Sequence, residues 1–183
     1  MAEARRVIEI RALNVAKDFR GMALLAADTG SKLGEIRDAI IHPTEGRVMG
    51  ALVRTVDGDE QRVRINDIII GEDAVMTSGE AFDRAGDYSR ELVGGFRAVE
   101  DMIGSNVVTE NGELLGRITE VYIRVDKPMA VYRVAESKLQ KFFGKGFFIA
   151  GDVARSFSPD GPRIIVPADT ESRYATSSLE ESL

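Results

Sequence analysis

The chain has 183 residues, which allows one ordinary domain or two small ones, and 44% of its residues are apolar while 30% are charged. This composition is typical of a soluble globular protein and excludes a disordered chain. The formal net charge of -6 excludes bulk attraction to nucleic acid or anionic lipid, because such binding requires clustered lysine and arginine.

The chain contains no cysteine, so it has no disulfide framework, thiol nucleophile or thiolate metal site. The N-terminal sequence lacks an apolar stretch of signal-peptide length, and no later segment approaches the ~20 apolar residues of a membrane span. We therefore expect a cytoplasmic protein without an integral membrane segment.

Residues 1–78 predict a first small barrel with an N-terminal extension. In the extension, residues 7–13 alternate between apolar and polar, which predicts a strand that joins this first barrel. The segment Gly34–Ile41 follows with apolar residues two, five and seven positions after its glycine. Asp57 to Glu60 lacks the spacing of a calcium loop, so it is interpreted as a polar hairpin turn.

The same pattern occurs a second time further along the chain. Gly116–Ile123 repeats the arrangement of Gly34–Ile41, and the flanking landmarks keep register in both copies: Gly21 and Gly104, Pro43 and Pro128, Asp67 and Asp152. Residues 96–170 therefore predict a second barrel. Residues 79–95, which are charged and contain glycine, are interpreted as a linker, with a short helical turn near Tyr88 to Leu92. The Ser- and Glu-rich residues 171–183 are interpreted as a flexible tail.

Both copies show the two-residue period of half-buried strands. In the second copy, Asn111 and Gly112 between apolar pairs predict a tight hairpin turn. Short strands with frequent turn signals are typical of a barrel or a sandwich, and periodicity alone does not choose between them.

The order of these motifs resembles the PRC-barrel domain: Gly-x-Ile-x-x-Ala/Val-x-Ile, a Pro-containing turn, a further strand, and Ile-x-x-Asp-Ile/Val before a last strand. This domain occurs in the H subunit of photosynthetic reaction centres and in the small-subunit ribosome maturation factor. The resemblance covers residues 18–78 and 100–169. It implies an all-β chain of two tandem PRC-type β-barrels with short helical turns, and a module that docks on a larger protein assembly without catalytic residues.

The sequence offers no pattern for catalysis. His42 is the only histidine and lies in a His-Pro turn, which favours a solvated turn residue over a catalytic triad member. With one histidine and no cysteine, a zinc site would need carboxylates almost alone. Asp67 and Asp152 are interpreted as caps of short helical turns. We therefore expect no enzyme, no catalytic or metal-binding residue and no cofactor.

One segment of the second copy has the composition of an interaction site. Residues 138–148 interleave three lysines with four phenylalanines, where the first copy has only a short polar turn. Phe147 and Phe148 are expected to begin the next strand, with at least one of them in the core. The candidate interaction residues are Lys138, Lys141, Phe142, Phe143 and Lys145. The alternative is a loop whose phenylalanines fold back onto the barrel rim.

Two functions remain open from the sequence. The first is a non-catalytic module of two barrels that docks on a multisubunit protein partner. The alternative is an RNA- or ribosome-associated factor that uses the 138–148 segment, for which lysine and aromatic residues are suitable. An acidic surface and exposed barrel edges also permit a homodimer.

Overall fold

The computed structural model describes residues 11–88, 95–136 and 146–183, and its architecture is mostly β. The strands before residue 79 are β1 (Ala12–Asn14), β2 (Ala23–Ala26), β3 (Lys32–Ile41), β4 (Val48–Thr55), β5 (Glu60–Arg64), β6 (Ile68–Ile70) and β7 (Ala74–Thr77). The later strands are β8 (Arg97–Ala98), β9 (Asn106–Thr109), β10 (Leu114–Arg124), β11 (Ala130–Glu136), β12 (Phe147–Ala150), β13 (Ser156–Ser158) and β14 (Arg163–Val166). The predicted all-β class is confirmed.

Helical segments are short and connect the strands. The α-helices are α1 (Gly79–Tyr88), α2 (Val99–Met102), α3 (Thr170–Arg173) and α4 (Leu179–Ser182). A π-helical turn spans Val15–Phe19, and 3-10 turns span Ile65–Asp67 and Gly151–Val153.

The two copies form two sheets with the same strand order. The first sheet has the order β5-β4-β3-β2-β7-β6, and the second has the order β12-β11-β10-β9-β14-β13. In both sheets one pair is parallel, β2 with β7 and β9 with β14. We call β2–β7 the first repeat and β9–β14 the second repeat. The structure thus confirms that the chain contains two copies of the same strand arrangement.

The shared glycine of the motif is explained by close backbone packing. A Cβ atom on Gly34 would lie 2.3 Å from the carbonyl oxygen of Arg54, and one on Gly116 would lie 2.0 Å from that of Ala135. Such contacts cannot be accommodated, so the position excludes every side chain. A bulge follows in both long strands, between Ile36 and Asp38 in β3 and at the equivalent place in β10. It adds the local bend that a small barrel needs.

The predicted pairing of the N-terminal strand is wrong. We call residues 12–19 and 96–102 the lead segments of the first and second repeats. β1, in the first lead segment, pairs with β10 of the second repeat, whereas β8, in the second lead segment, pairs with β3 of the first repeat. The physical reason is that β8 occupies the place on β3 where a strand of the first lead segment would have to bind. Each lead segment therefore completes the other repeat.

The exchange of lead segments produces one hydrophobic core across both repeats. Val15 and Phe19 of the first lead segment are fully buried, as are Val99 and Met102 of the second. These side chains belong to the same cluster as the inward-facing residues of both sheets. Because burial of apolar surface is the main stabilising contribution, the two repeats are expected to unfold together.

The described residues of the predicted linker and tail include helices and an isolated β-bridge. α1 lies against β5 and buries Ala81 and Ala85. Near the C-terminus, Thr176 pairs with Phe148 through two backbone hydrogen bonds of 2.9 Å, which extends the edge of the second sheet. Leu92, the end of the predicted helical turn, lies outside the described residues. The division into residues 1–78, 79–95, 96–170 and 171–183 stays a prediction.

Candidate functional site

The predicted interaction residues lie outside the described part of the chain: Lys138, Lys141, Phe142, Phe143 and Lys145. Their role stays a prediction. The expectation for the following residues is confirmed, since Phe147 begins β12 with its side chain 8% exposed. Phe148 lies edge-on to Tyr122, with the ring centroids 6.0 Å apart.

His42 shapes a turn, as the sequence predicts. Its Nδ1 accepts a hydrogen bond of 3.1 Å from the backbone N–H of Glu45, and its ring contacts Phe96 edge-on at 5.4 Å. Phe96 covers part of the imidazole, so the side chain is half-buried and not fully solvated. Among the described residues, no three His, Asp or Glu side chains are grouped so that they could hold a metal ion.

The His-Pro turn of the first repeat is bound by the second repeat. The backbone N–H of Ala130 donates to the carbonyl of Gly46 at 2.7 Å, and the hydroxyl of Tyr132 donates to the carbonyl of Pro43 at 3.3 Å. Tyr132 is fully buried, and this burial, with a smaller contribution from the charge of Asp152, raises the pKa of its phenol. The turn is therefore part of the junction between the repeats.

Asp67 and Asp152 lie in equivalent 3-10 turns, but the predicted capping role is wrong. The residues at the N-cap positions are Arg64 and Ala150, and neither makes a side-chain capping hydrogen bond. The two aspartates lie inside their turns. The spacing of the repeat correctly predicted the two turns. It could not predict where each aspartate lies within a turn of three residues.

The outer face of the second repeat is closed by a network around Glu120. The carboxylate accepts hydrogen bonds from Lys17 Nζ at 2.9 Å, Arg133 Nη1 at 2.9 Å and the Tyr122 hydroxyl at 3.1 Å. Partial burial raises the pKa of Glu120, but these hydrogen bonds outweigh it and hold the pKa below its usual range. Asn14 of the first lead segment also donates to this carboxylate at 3.2 Å.

The equivalent residue of the first repeat, Asp38, is turned inward. It accepts hydrogen bonds from the backbone N–H of Glu100 at 2.8 Å and from Arg20 Nε at 3.2 Å. Its side chain is 1% exposed, and burial raises its pKa, with these partners offsetting only part of the effect. Asp38 therefore fastens the start of α2, in the second lead segment, to the first repeat and leaves the outer face open.

Strand register allows the outer faces of the two repeats to be compared position by position. Asp38, Leu52 and Arg62 form one cross-strand row on β3, β4 and β5. In the second repeat, Glu120, Arg133 and Phe148 form the corresponding row. In the second repeat, charged and aromatic side chains cover the surface above this row. In the first repeat, the row borders a depression.

We call this depression of about 380 Å³ the first-repeat groove. It is lined by residues of the first repeat and of the second lead segment: Ile40, Leu52, Arg62, Phe96, Arg97 and Asp101. Leu52 and Phe96 are half-buried, and Ile40 is 5% exposed. An apolar floor beside two guanidinium groups can bind a side chain of another molecule. No local sequence pattern indicates this site, because the groove is formed by strands that are far apart in the chain.

Two small barrels that complete each other place this protein among tandem β-barrel modules. The model of the PRC-barrel domain matches residues 15–81 and 94–173, so the chain belongs to the PRC-barrel domain family. No curated protein matches the chain. PRC-barrel domains are commonly protein-interaction modules and are in general not catalytic. Within the described ranges, no helix is long and apolar enough to cross a membrane.

Proposed function

We propose that this protein is a non-catalytic docking module that binds a protein of a larger assembly through the first-repeat groove. The supporting observation is the difference between the two outer faces. Glu120 and its partners fill the face of the second repeat, whereas the corresponding face of the first repeat leaves the side chains of Leu52 and Phe96 accessible. A depression with an apolar floor and a charged rim is typical of a protein-binding site.

The groove also depends on the tandem arrangement. Phe96 and Arg97 form one wall, and they reach the first repeat only because β8 pairs with β3. A single barrel without the second lead segment would lack this wall. The proposal therefore assigns a role to both copies of the domain in one cytoplasmic docking protein.

Site-specific photocrosslinking tests this function. The full chain carries a photoreactive phenylalanine in place of Leu52, and a control carries it in place of Arg117, which is exposed on β10. After irradiation in native lysate, we expect a discrete protein adduct from position 52 that is absent from position 117. The adduct is then identified by mass spectrometry, and its binding to the purified chain is measured.

Equal labelling from both positions, or no protein adduct, would refute the docking function. Recovery of RNA at either position would favour the alternative of an RNA- or ribosome-associated factor. Phosphate contacts would also make that binding strongly dependent on salt.

A further inference from the structure

The first-repeat groove also indicates the chemistry of its ligand, an inference that rests on the proposed docking function. Within the described residues, Arg62 has no carboxylate partner. Arg97 donates to the carbonyl of Phe96 at 2.7 Å and lies 5.6 Å from the centre of the Phe157 ring, again without a carboxylate. Asp38, the nearest acidic residue of the row, is bound to Arg20 and to the backbone of Glu100. Two guanidinium groups therefore border the apolar floor against one lining carboxylate, Asp101, which forms no ion pair with either of them, so the described lining carries a net positive charge.

The second repeat shows what fills the equivalent space. There the cation Arg133 is paired with the carboxylate of Glu120, and the rings of Tyr122 and Phe148 cover the row. In the first repeat, Ile40 stands where the second repeat has Tyr122, and Leu52 stands where it has Arg133. The cation of the first row is Arg62, which lies one strand further out, at the position of Phe148. In the first repeat, the one carboxylate of the row, Asp38, is turned inward, and no ring stands in the row, so a carboxylate and a ring are what its outer face lacks.

We propose that the first-repeat groove binds a protein segment that carries an acidic side chain next to an aromatic one. The carboxylate binds Arg62, for which a guanidinium offers a paired donor geometry. The aromatic ring packs on Leu52 and Phe96, where apolar surface is accessible. Asp101, which also lines the groove, repels a second carboxylate and so favours one orientation of the segment.

Two short peptides test this chemistry by NMR titration of the isotope-labelled full chain. The probe is acetylated and amidated Gly-Glu-Phe-Gly, and its neutral match is Gly-Gln-Phe-Gly. We expect the acidic peptide to shift the amide signals of Leu52, Arg62 and Ala98, with binding about fivefold to tenfold tighter than that of the neutral peptide, as one charge-assisted hydrogen bond supplies. Arg62→Gln is expected to remove this preference, and Arg54→Gln, a change at an exposed arginine of β4 outside the groove, is expected to keep it.

Equal affinity for both peptides, shifts located elsewhere, or no shift at millimolar peptide would overturn the proposal. A short uridine oligonucleotide provides a third probe, and shifts of the groove signals by this probe alone would also overturn it, in favour of nucleic acid. Failure here is distinguishable from failure of the docking function. Suppose that a protein crosslinks at position 52 and that its affinity for the Arg62→Gln variant equals its affinity for the unchanged chain. This result would support the docking function and exclude the acidic ligand.

Discussion

Substitution of Gly46 by alanine is expected to weaken the junction between the repeats. Gly46 has a φ of +66°, and an added Cβ atom would lie 2.7 Å from the backbone of Gly151 and of Asp152. The positive φ costs about 1 kcal/mol in a residue with a side chain. The backbone clash adds about 1–3 kcal/mol, because both sides of the contact are backbone and can move only if the repeats separate. We expect a total loss of about 2–4 kcal/mol in the free energy of unfolding.

The chain supplies a matched control for this experiment. Gly30 has a φ of +71° and no atom within 4 Å of its added Cβ, so Gly30→Ala reports the conformational cost alone. Urea denaturation followed by circular dichroism measures both variants, with the slope of the transition as a check on cooperativity. Equal destabilisation by the two substitutions would refute the reasoning, because the contact with Gly151 would then contribute nothing.

Three further predictions concern polar groups at the junction and on the outer faces. Asp38→Ala leaves the amide of Glu100 without its acceptor, so we expect a loss of about 1–3 kcal/mol in urea denaturation; an unchanged midpoint would contradict this. Tyr132→Phe removes the hydrogen bond to Pro43, with an expected loss of about 0.5–1.5 kcal/mol in the same assay, and no loss would mean that this bond is not formed. Glu120 has a lowered pKa in the folded state, so it stabilises the fold above its unfolded pKa, near the ordinary value of 4.5, and this contribution disappears as the pH falls. In the Glu120→Gln variant, the free energy of unfolding should therefore fall less between about pH 6 and about pH 3 than it does in the unchanged chain. Parallel pH profiles of the two proteins would contradict a lowered pKa of Glu120.

The sequence predicted the repeat and the strand class because both depend on local patterns. The motif around Gly34 and Gly116 marks positions where backbones approach too closely for a side chain. Such a requirement is visible in a single chain once the pattern occurs twice. The helical turns near Asp67 and Asp152 were identified for the same reason.

The pairing of the lead segments could not be predicted from local patterns. Alternation in residues 7–13 predicts a strand, but a strand can pair with any free edge of suitable register. Ala12–Asn14 pairs with β10 because β8, which lies about eighty-five residues later in the chain, occupies the edge of β3. The first-repeat groove escaped prediction for the same reason, since β8 forms one of its walls.

The candidate site also depends on the direction in which each side chain points, and the spacing of the repeats does not predict this direction. Asp38 and Glu120 occupy equivalent positions on β3 and β10, and both are acidic. The shorter aspartate reaches inward to the amide of Glu100, whereas the glutamate stays outside with Lys17 and Arg133. The direction of this carboxylate is therefore one of the differences between the open outer face and the closed one.

The central claim is that the first-repeat groove holds the protein partner, and filling the groove tests this claim most directly. In the double variant Ile40→Tyr and Arg62→Phe, the first repeat carries the rings that Tyr122 and Phe148 supply in the second. Binding of the partner identified by crosslinking is measured by calorimetry with this variant and with the unchanged chain. We expect a loss of affinity of more than about tenfold, as for the removal of a central contact, with cooperative unfolding in urea retained. Because Ile40 is 5% exposed, the larger ring is also expected to lower the unfolding midpoint. Undiminished binding by the filled variant would contradict the account.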